Sequence, residues 1–290
     1  MTEVVYINVF SIAMNSFTSY AAIMLNIVAI IALRKTPSLP KPLKVLLLSI
    51  SVSDLCVGLL VQPLYVALHM VNEDKPIFKP LATVNTISTT FFCTATLLGI
   101  CAVSVDRFLA IHLHLRYQEI VTHRRVVAVV ISIWVLSAVL SVRRTNTHSE
   151  KVDRIILAII VFITLGCLVA IAIIYFKLYL VLKYHMMQVH ALNIPLDSQD
   201  AVATEDTARQ KKSAVVIFYL YLTLLICYLP NTFIALMFAL SSASPPRLVF
   251  VVSDALLFLN SSLDPLIYCW KMRQVRLTAM NILRNMHFKC

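Results

Sequence analysis

Three carboxylates lie where a carboxylate is costly. Asp54, Asp254 and Asp264 fall inside long apolar stretches, and a fourth, Asp106, stands beside Arg107 at the end of another. Within a bilayer an ionisable side chain costs about 3 kcal/mol or more at the centre of a helix, so it faces a bundle interior and takes a partner. Asp54 and Asp264, on two different stretches, admit a cation held by oxygen ligands, a proton site, or a hydrogen-bonded network with one acid protonated. A functional ion or proton site is expected. Asp106-Arg107 taken alone is a surface ion pair worth under about 1 kcal/mol. At the end of a span it is cheap only against water or another protein group, which places it at the inner mouth of a bundle. Asp254 is the only acid in the outer half of a span, and Gln62 is a second polar residue there without an obvious partner. Both are candidates for a ligand pocket; the plainer alternative is that they bond to each other or to water. There is no H-E-x-x-H, G-x-S-x-G, P-loop or Cys-x-x-Cys, so no enzyme is expected.

Positioning these groups falls to seven apolar segments, each long enough for the roughly 20 residues a helix needs to cross a bilayer. They cover about residues 8–33, 43–70, 80–111, 126–142, 154–185, 209–240 and 248–270. The first is read as holding one buried polar residue, Asn26. The second carries Asp54 and a kinking Pro63, and the fourth centres on Trp134. A polar inner stretch, His190 to Thr207, is expected to be a mobile loop. Past the seventh, Met272, Val275, Ala279, Ile282, Leu283 and Met286 recur at helical spacing opposite Arg273, Arg276 and Arg284. That spacing predicts an amphipathic helix over about 272–287 on the membrane surface. The expected fold is all-α, a seven-transmembrane helix bundle with this surface helix, as a single domain over residues 1–290.

Composition agrees. Of 290 residues 60% are hydrophobic and 13% charged, against about 25% charged in a soluble domain. The net charge of +11 reflects basic residues gathered on one side of the spans. This positive-inside bias puts the N-terminus outside and gives the inner face an affinity for anionic lipid; nucleic acid is not an expected partner. No positive stretch precedes the first span, which is expected to act as its own signal anchor. The seven cysteines (56, 93, 101, 167, 227, 269 and 290) all fall in spans or at the C-terminal end, so no extracellular disulfide is expected.

One residue in each span completes a pattern. Asn26, Asp54 in S-V-S-D-L, Arg107, Trp134, Tyr175, Pro230 in C-Y-L-P and Pro265 in D-P-L-I-Y follow one another in register. Asp106-Arg107-Phe108, Leu109-Ala110-Ile111, Leu115 and Tyr117 are close to D-R-Y-x-A-I-x-x-P-L-x-Y, with His114 where the proline is usual. From about residue 8 to 287 the chain resembles a class A (rhodopsin-like) G-protein-coupled receptor. It is similar in character to the melanocortin, adenosine and cannabinoid group, melanocortin receptors above all. The second outer loop is short and lacks cysteine, Pro80-Leu81-Ala82-Thr83 replaces the usual cysteine region, and Gly166-Cys167-Leu168 replaces the fifth-span proline.

The resemblance implies a plasma-membrane receptor that answers a small extracellular ligand and activates a heterotrimeric G protein. It implies a sodium and water site of Asn26, Asp54, Thr96, Asn260, Ser261 and Asp264, with sodium at Asp54 and no other cofactor. It implies a coupling face and switch of Asp106, Arg107, Leu115, Tyr175, Pro230, Pro265 and Tyr268, and an outer pocket of Gln62, Asn85, Thr89, Cys93, Tyr228, Asn231 and Asp254. Thr89 stands where amine receptors carry aspartate, Phe258 where opsins carry lysine, and Leu64 and Thr86 where melanocortin receptors carry acids, so none of those ligands is expected. Tyr228 replaces the usual tryptophan at the pocket base, and Gln210 the usual acid at the inner end of the sixth span. Arrestin binding is expected to rely on Ser198, Thr204 and Thr207, with Thr278 structural and Cys290 a lipidation candidate. The alternatives are a non-signalling decoy and a proton- or ion-coupled transporter. Only three glycines and no similarity between halves stand against the transporter.

Overall fold

Seven helices long and apolar enough to cross a membrane run through the computed structural model, which describes residues 2–37, 39–72, 74–113, 116–143, 150–191, 198–240 and 246–287. Helices are what the sequence requires, because a backbone surrounded by hydrocarbon must satisfy its own N–H and C=O groups. We number them α1 (Thr2–Lys35), α2 (Lys41–Met70), α3 (Phe78–His112), α4 (His123–Arg143), α5 (Glu150–Ala191), α6 (Ser198–Leu240) and α7 (Arg247–Lys271), followed by α8 (Arg273–His287). No strand occurs among the described residues.

The bundle closes with α7 between α1 and α6, α2 against α1 and α3, and α3 against α4, α5 and α6. α3 is central, and its 35 residues at about 1.5 Å each exceed the ~30 Å hydrocarbon core. Its last turns carry Asp106 and Arg107. Gly99 lets α2 approach: a Cβ there would lie 2.8 Å from Ile50 Cγ1. α8 packs on α1 and α7 with Val275 and Ala279 buried, and Arg273, Arg276 and Arg284 exposed. Thr278 is structural, its hydroxyl donating to the Gln274 carbonyl at 2.9 Å and lying 3.4 Å from that of Thr36 on α1.

Two elements differ from the sequence reading. The kink expected at Pro63 is a π-helical turn at Val57–Val61. Proline has no N–H and its ring collides with the carbonyl four residues back, so the ladder slips one residue. The Gln62 N–H bonds to the Val57 carbonyl, which leaves Gly58 O facing Pro63. Ser19 Oγ on α1 donates to that freed carbonyl at 2.8 Å. The second difference lies on the inner side. Residues read as a polar loop are largely helical, α5 continuing to Ala191 and α6 starting at Ser198. Polarity excludes a stretch from the membrane but does not oppose a helix, and Ala201, Ala203, Glu205, Ala208 and Gln210 all favour one.

Candidate functional site

The inner half of the bundle holds a polar core from four helices. Asp54 on α2 and Asp264 on α7 have no exposed surface, and Asn26, Thr96, Asn260 and Ser261 are buried beside them. Thr96 and Ser261 donate to Asp54 Oδ1 at 3.1 and 2.9 Å. Asn260 Nδ2 donates to Asp264 Oδ2 at 3.1 Å. Asn26 Nδ2 ties α1 to α7 through the Ser261 carbonyl at 2.8 Å. The six residues expected at a sodium and water site thus lie together. Ser53, which the sequence did not single out, joins them with its hydroxyl 2.8 Å from that of Thr96.

What this core leaves unsatisfied defines its chemistry. Asp54 Oδ2, Asp264 Oδ1, Asn26 Oδ1 and Asn260 Oδ1 are buried oxygens without a hydrogen-bond partner among the described residues. Each such acceptor costs about 1–3 kcal/mol if nothing meets it. All four are hard oxygen donors, the kind that hold an alkali or alkaline-earth cation or ordered water. No group of three or more His, Cys, Asp or Glu occurs among the described residues, so a soft-metal site has no ligand set there.

At the inner mouth, Arg107 is held from two sides. Its Nε donates to Asp106 Oδ2 at 2.9 Å, its Nη2 pairs with the same carboxylate, and Tyr117 Oη donates to Asp106 Oδ1 at 2.7 Å. Tyr117 comes from a short helical turn, Tyr117–Ile120, between α3 and α4. Partial burial and the Asp106 carboxylate push its phenol above its usual range, so it remains a donor at neutral pH. This is no exposed ion pair: Asp106 and Arg107 are 4% and 8% exposed. Tyr175 on α5 stacks on Tyr221 of α6 with ring centroids 5.5 Å apart. Pro230 and Pro265 lie within α6 and α7, and Tyr268 stands near the inner end of α7. Leu115 and Cys290 lie outside the described residues.

The outer half opens into a cavity of about 370 Å³ among α2, α3, α5, α6 and α7. Asn85, Thr89, Cys93, Tyr228, Asn231 and Asp254 line it. Gln62 does not. It is fully buried and donates through Nε2 to Thr18 Oγ1 of α1 at 2.6 Å, because the slipped turn before it sets its direction. Asp254 Oδ1 accepts from Asn231 Nδ2 at 2.8 Å. Tyr228 lines the cavity, and its hydroxyl donates to the Cys93 carbonyl of α3 at 2.9 Å.

α1 corrects the sequence reading most. Besides Asn26 it buries Ser11, Asn15 and Thr18, each 4% exposed or less. With Asn8 these residues recur every three or four positions, one face of a helix. That face meets α2 through Gln62 and α7 through Ser262, whose hydroxyl donates to the Thr18 carbonyl at 3.0 Å. The spacing was the available signal, because a polar face within a membrane must turn toward protein.

The chain is similar to known receptors. A 7 transmembrane receptor (rhodopsin family) model matches residues 25–149. Melanocortin receptor 4 of Danio rerio is 28% identical over 273 residues, covering 89% of this chain and 78% of the relative. Melanocortin receptor 3 of Rattus norvegicus is 25% identical over 272 residues, covering 90% and 81%. The alpha-1A adrenergic receptor of Mus musculus is 25% identical over 233 residues, covering 66% of this chain and half of that receptor's length.

Proposed function

We propose that the chain, whose residues 25–149 match the seven-transmembrane receptor (rhodopsin family) model and which is similar to melanocortin receptors, is a G-protein-coupled receptor that carries a small extracellular ligand's signal across the plasma membrane to a heterotrimeric G protein. The observation that carries this reading is Arg107, buried at the inner mouth between Asp106 and Tyr117. An arginine held this way exchanges its carboxylate for a group of an inserted partner when the helices part. Ligand in the outer cavity acts on that equilibrium only through its difference in affinity for the two arrangements. Tyr228, which lines the cavity and bonds to the Cys93 carbonyl of α3, is where that difference passes to α3. The N-terminus faces outside, with Arg34, Lys35, Lys41 and Lys44 on the inner side. Melanocortin peptides are not carried over as ligand, since Leu64 and Thr86 stand where those receptors have acids.

The four unsatisfied oxygens fit a sodium ion at Asp54. When bound, the ion supplies positive charge between two carboxylates that cannot readily both ionise. Asp54 and Asp264 would hold it, Asn26 and Asn260 would offer carbonyl oxygens, and the packing of α1, α2, α3 and α7 would be biased toward the resting arrangement. Arrestin, in this reading, engages the inner ends of α5 and α6 through Ser198, Thr204 and Thr207.

The test is basal nucleotide exchange on a panel of Gα proteins by membranes bearing the receptor, with Arg107→Ala as the comparison. Exchange above background that falls severalfold in Arg107→Ala is expected. No exchange on any Gα at good surface expression, with or without a ligand library, supports the decoy reading instead. Sodium is tested by thermal unfolding of purified receptor in sodium chloride against N-methylglucamine chloride at equal ionic strength. Sodium is expected to raise the midpoint of the wild type and not of Asp54→Asn. An equal response in both proteins makes the cluster a purely structural network.

A further inference from the structure

Several polar groups that line the outer cavity are already spent within the protein. Asp254 accepts from Asn231 Nδ2 at 2.8 Å and also meets Tyr65 of α2. Tyr228 donates to the Cys93 carbonyl at 2.9 Å, and Thr164 and Thr232 donate to carbonyls of their own helices at 2.9 and 2.7 Å. Two atoms of α3 are different. Among the described lining residues, Asn85 Oδ1 and Thr89 Oγ1 are the buried polar atoms without a hydrogen-bond partner. Their residues stand one turn apart, on one face of the helix and about 6 Å from each other along its axis.

What these atoms lack sets the chemistry of what can meet them. The amide oxygen of Asn85 accepts only, so its partner must bring an N–H or O–H; the Thr89 hydroxyl both donates and accepts. The Asn85 amide turns about a broad terminal torsion, so a ligand can meet its oxygen without any change of backbone. A single group that serves both residues is itself donor and acceptor, and it carries no charge: a hydroxyl or a carboxamide. An ammonium has no acceptor and a carboxylate has no donor. Either would leave water without gaining an opposite charge from Asn85 or Thr89. Facing α3 the wall is largely apolar, with Ile160 and Val161 on α5, Phe238 on α6 and Phe250 on α7. A cavity of about 370 Å³ is toward the small end of the ~300–1,000 Å³ of ligand pockets.

Resting on the receptor reading above, we propose that the cavity binds a small uncharged molecule through a hydroxyl or carboxamide held by Asn85 and Thr89. That group donates to Asn85 Oδ1 and bonds to Thr89 Oγ1, while an apolar body lies along Ile160, Phe238 and Phe250. The bound molecule thus supplies the two hydrogen bonds that the outer half of α3 lacks. It does so on the same helix that carries Asp106 and Arg107 in its last turns.

The test uses full-length purified receptor in lipid nanodiscs and sets of arylalkyl compounds that share one body and differ in the polar group. Phenethyl alcohol, its methyl ether, phenethylamine, hydrocinnamate and hydrocinnamamide form one set. Tryptophol, its methyl ether, tryptamine and indolepropionate form a larger one. Binding is read as a shift of the thermal midpoint, and signalling separately as Gα nucleotide exchange. The alcohol and carboxamide are expected to bind about tenfold more tightly than the ether, which has no donor for Asn85 Oδ1. Ammonium and carboxylate members should bind more weakly than the alcohol. Asn85→Leu should reduce the alcohol-to-ether ratio to about threefold or less, and Thr89→Val should lower it by a smaller factor. Folding of each variant is judged from its unliganded midpoint. Tighter binding of the carboxamide than of the alcohol assigns an amide ligand; the reverse assigns a hydroxyl. The proposal is overturned if the ether, the ammonium or the carboxylate binds the wild type as well as the alcohol and carboxamide do. It is equally overturned if no alcohol or carboxamide binds, or if Asn85→Leu and Thr89→Val both keep the wild-type ratio. Binding of uncharged members without exchange on any Gα supports the site and counts against signalling. Exchange driven only by a charged member does the opposite.

Discussion

The two polar regions of this bundle use the same side chains to opposite ends. Around Asp54, four helices close on one another until the carboxylates have no exposed surface, and hydroxyls of α3 and α7 donate to a single oxygen. Around Asp254, which accepts from Asn231, the helices leave a cavity of about 370 Å³. The first arrangement makes each helix's position depend on the others, so it suits a switch. The second leaves Asn85 Oδ1 and Thr89 Oγ1 without a partner among the described residues beside an open space, so it suits recognition. Tyr228 lines the cavity and bonds to Cys93 on α3, the helix that also carries Thr96 of the closed region.

The sharpest way to break the closed region is Gly99→Val. A Cβ already lies 2.8 Å from Ile50 Cγ1, and a branched side chain adds to that. Overpacking here should cost about 1–3 kcal/mol or more, seen as a large loss of surface expression and a lowered thermal midpoint. Normal expression would mean that α2 and α3 have room to give. Asn26→Ala should come next, at about 1–3 kcal/mol, because it removes the donor to the Ser261 carbonyl and leaves that bond between α1 and α7 unmade. The loss should appear in the midpoint, with ligand affinity changed much less. An equal fall in affinity would show that the two regions are not separable.

Tyr117→Phe sharpens the comparison at the inner mouth. It removes the hydroxyl that donates to Asp106 Oδ1 at 2.7 Å and leaves the ion pair. A net bond of about 1 kcal/mol corresponds to roughly fivefold in a two-state equilibrium, so basal nucleotide exchange should rise by about that factor. A fall would show that Tyr117 serves the active arrangement. The smallest effect should come from Gln62→Leu. Its amide bonds only Thr18 and leaves Oε1 unsatisfied, and exchanging such a group for an apolar one of similar size is nearly neutral. Stability should move by under about 1 kcal/mol and ligand potency should hold. A large loss of potency would return Gln62 to the pocket.

The sequence by itself determined the spans, since a run of apolar residues can bury its backbone polar groups in a bilayer only as a helix. It also marked the carboxylates, while their partners, Ser261 and Asn260 among them, came from the resemblance to a receptor family. It held more than was taken from it: the three- and four-residue spacing of Asn8, Ser11, Asn15 and Thr18 marks a face that must meet protein. Tertiary structure alone decided which face of each helix meets which neighbour. Hydropathy is a sum along the chain, whereas a hydrogen bond depends on rotation about the helix axis and on one residue of slip. Pro63 advertised a disturbance, but only packing of α2 on α1 turned it into a π-turn whose free carbonyl accepts Ser19 and whose exit directs Gln62 away from the cavity. The pairing of Asn231 with Asp254 has the same origin. Two residues on separate helices become partners only after the bundle has set the distance between them.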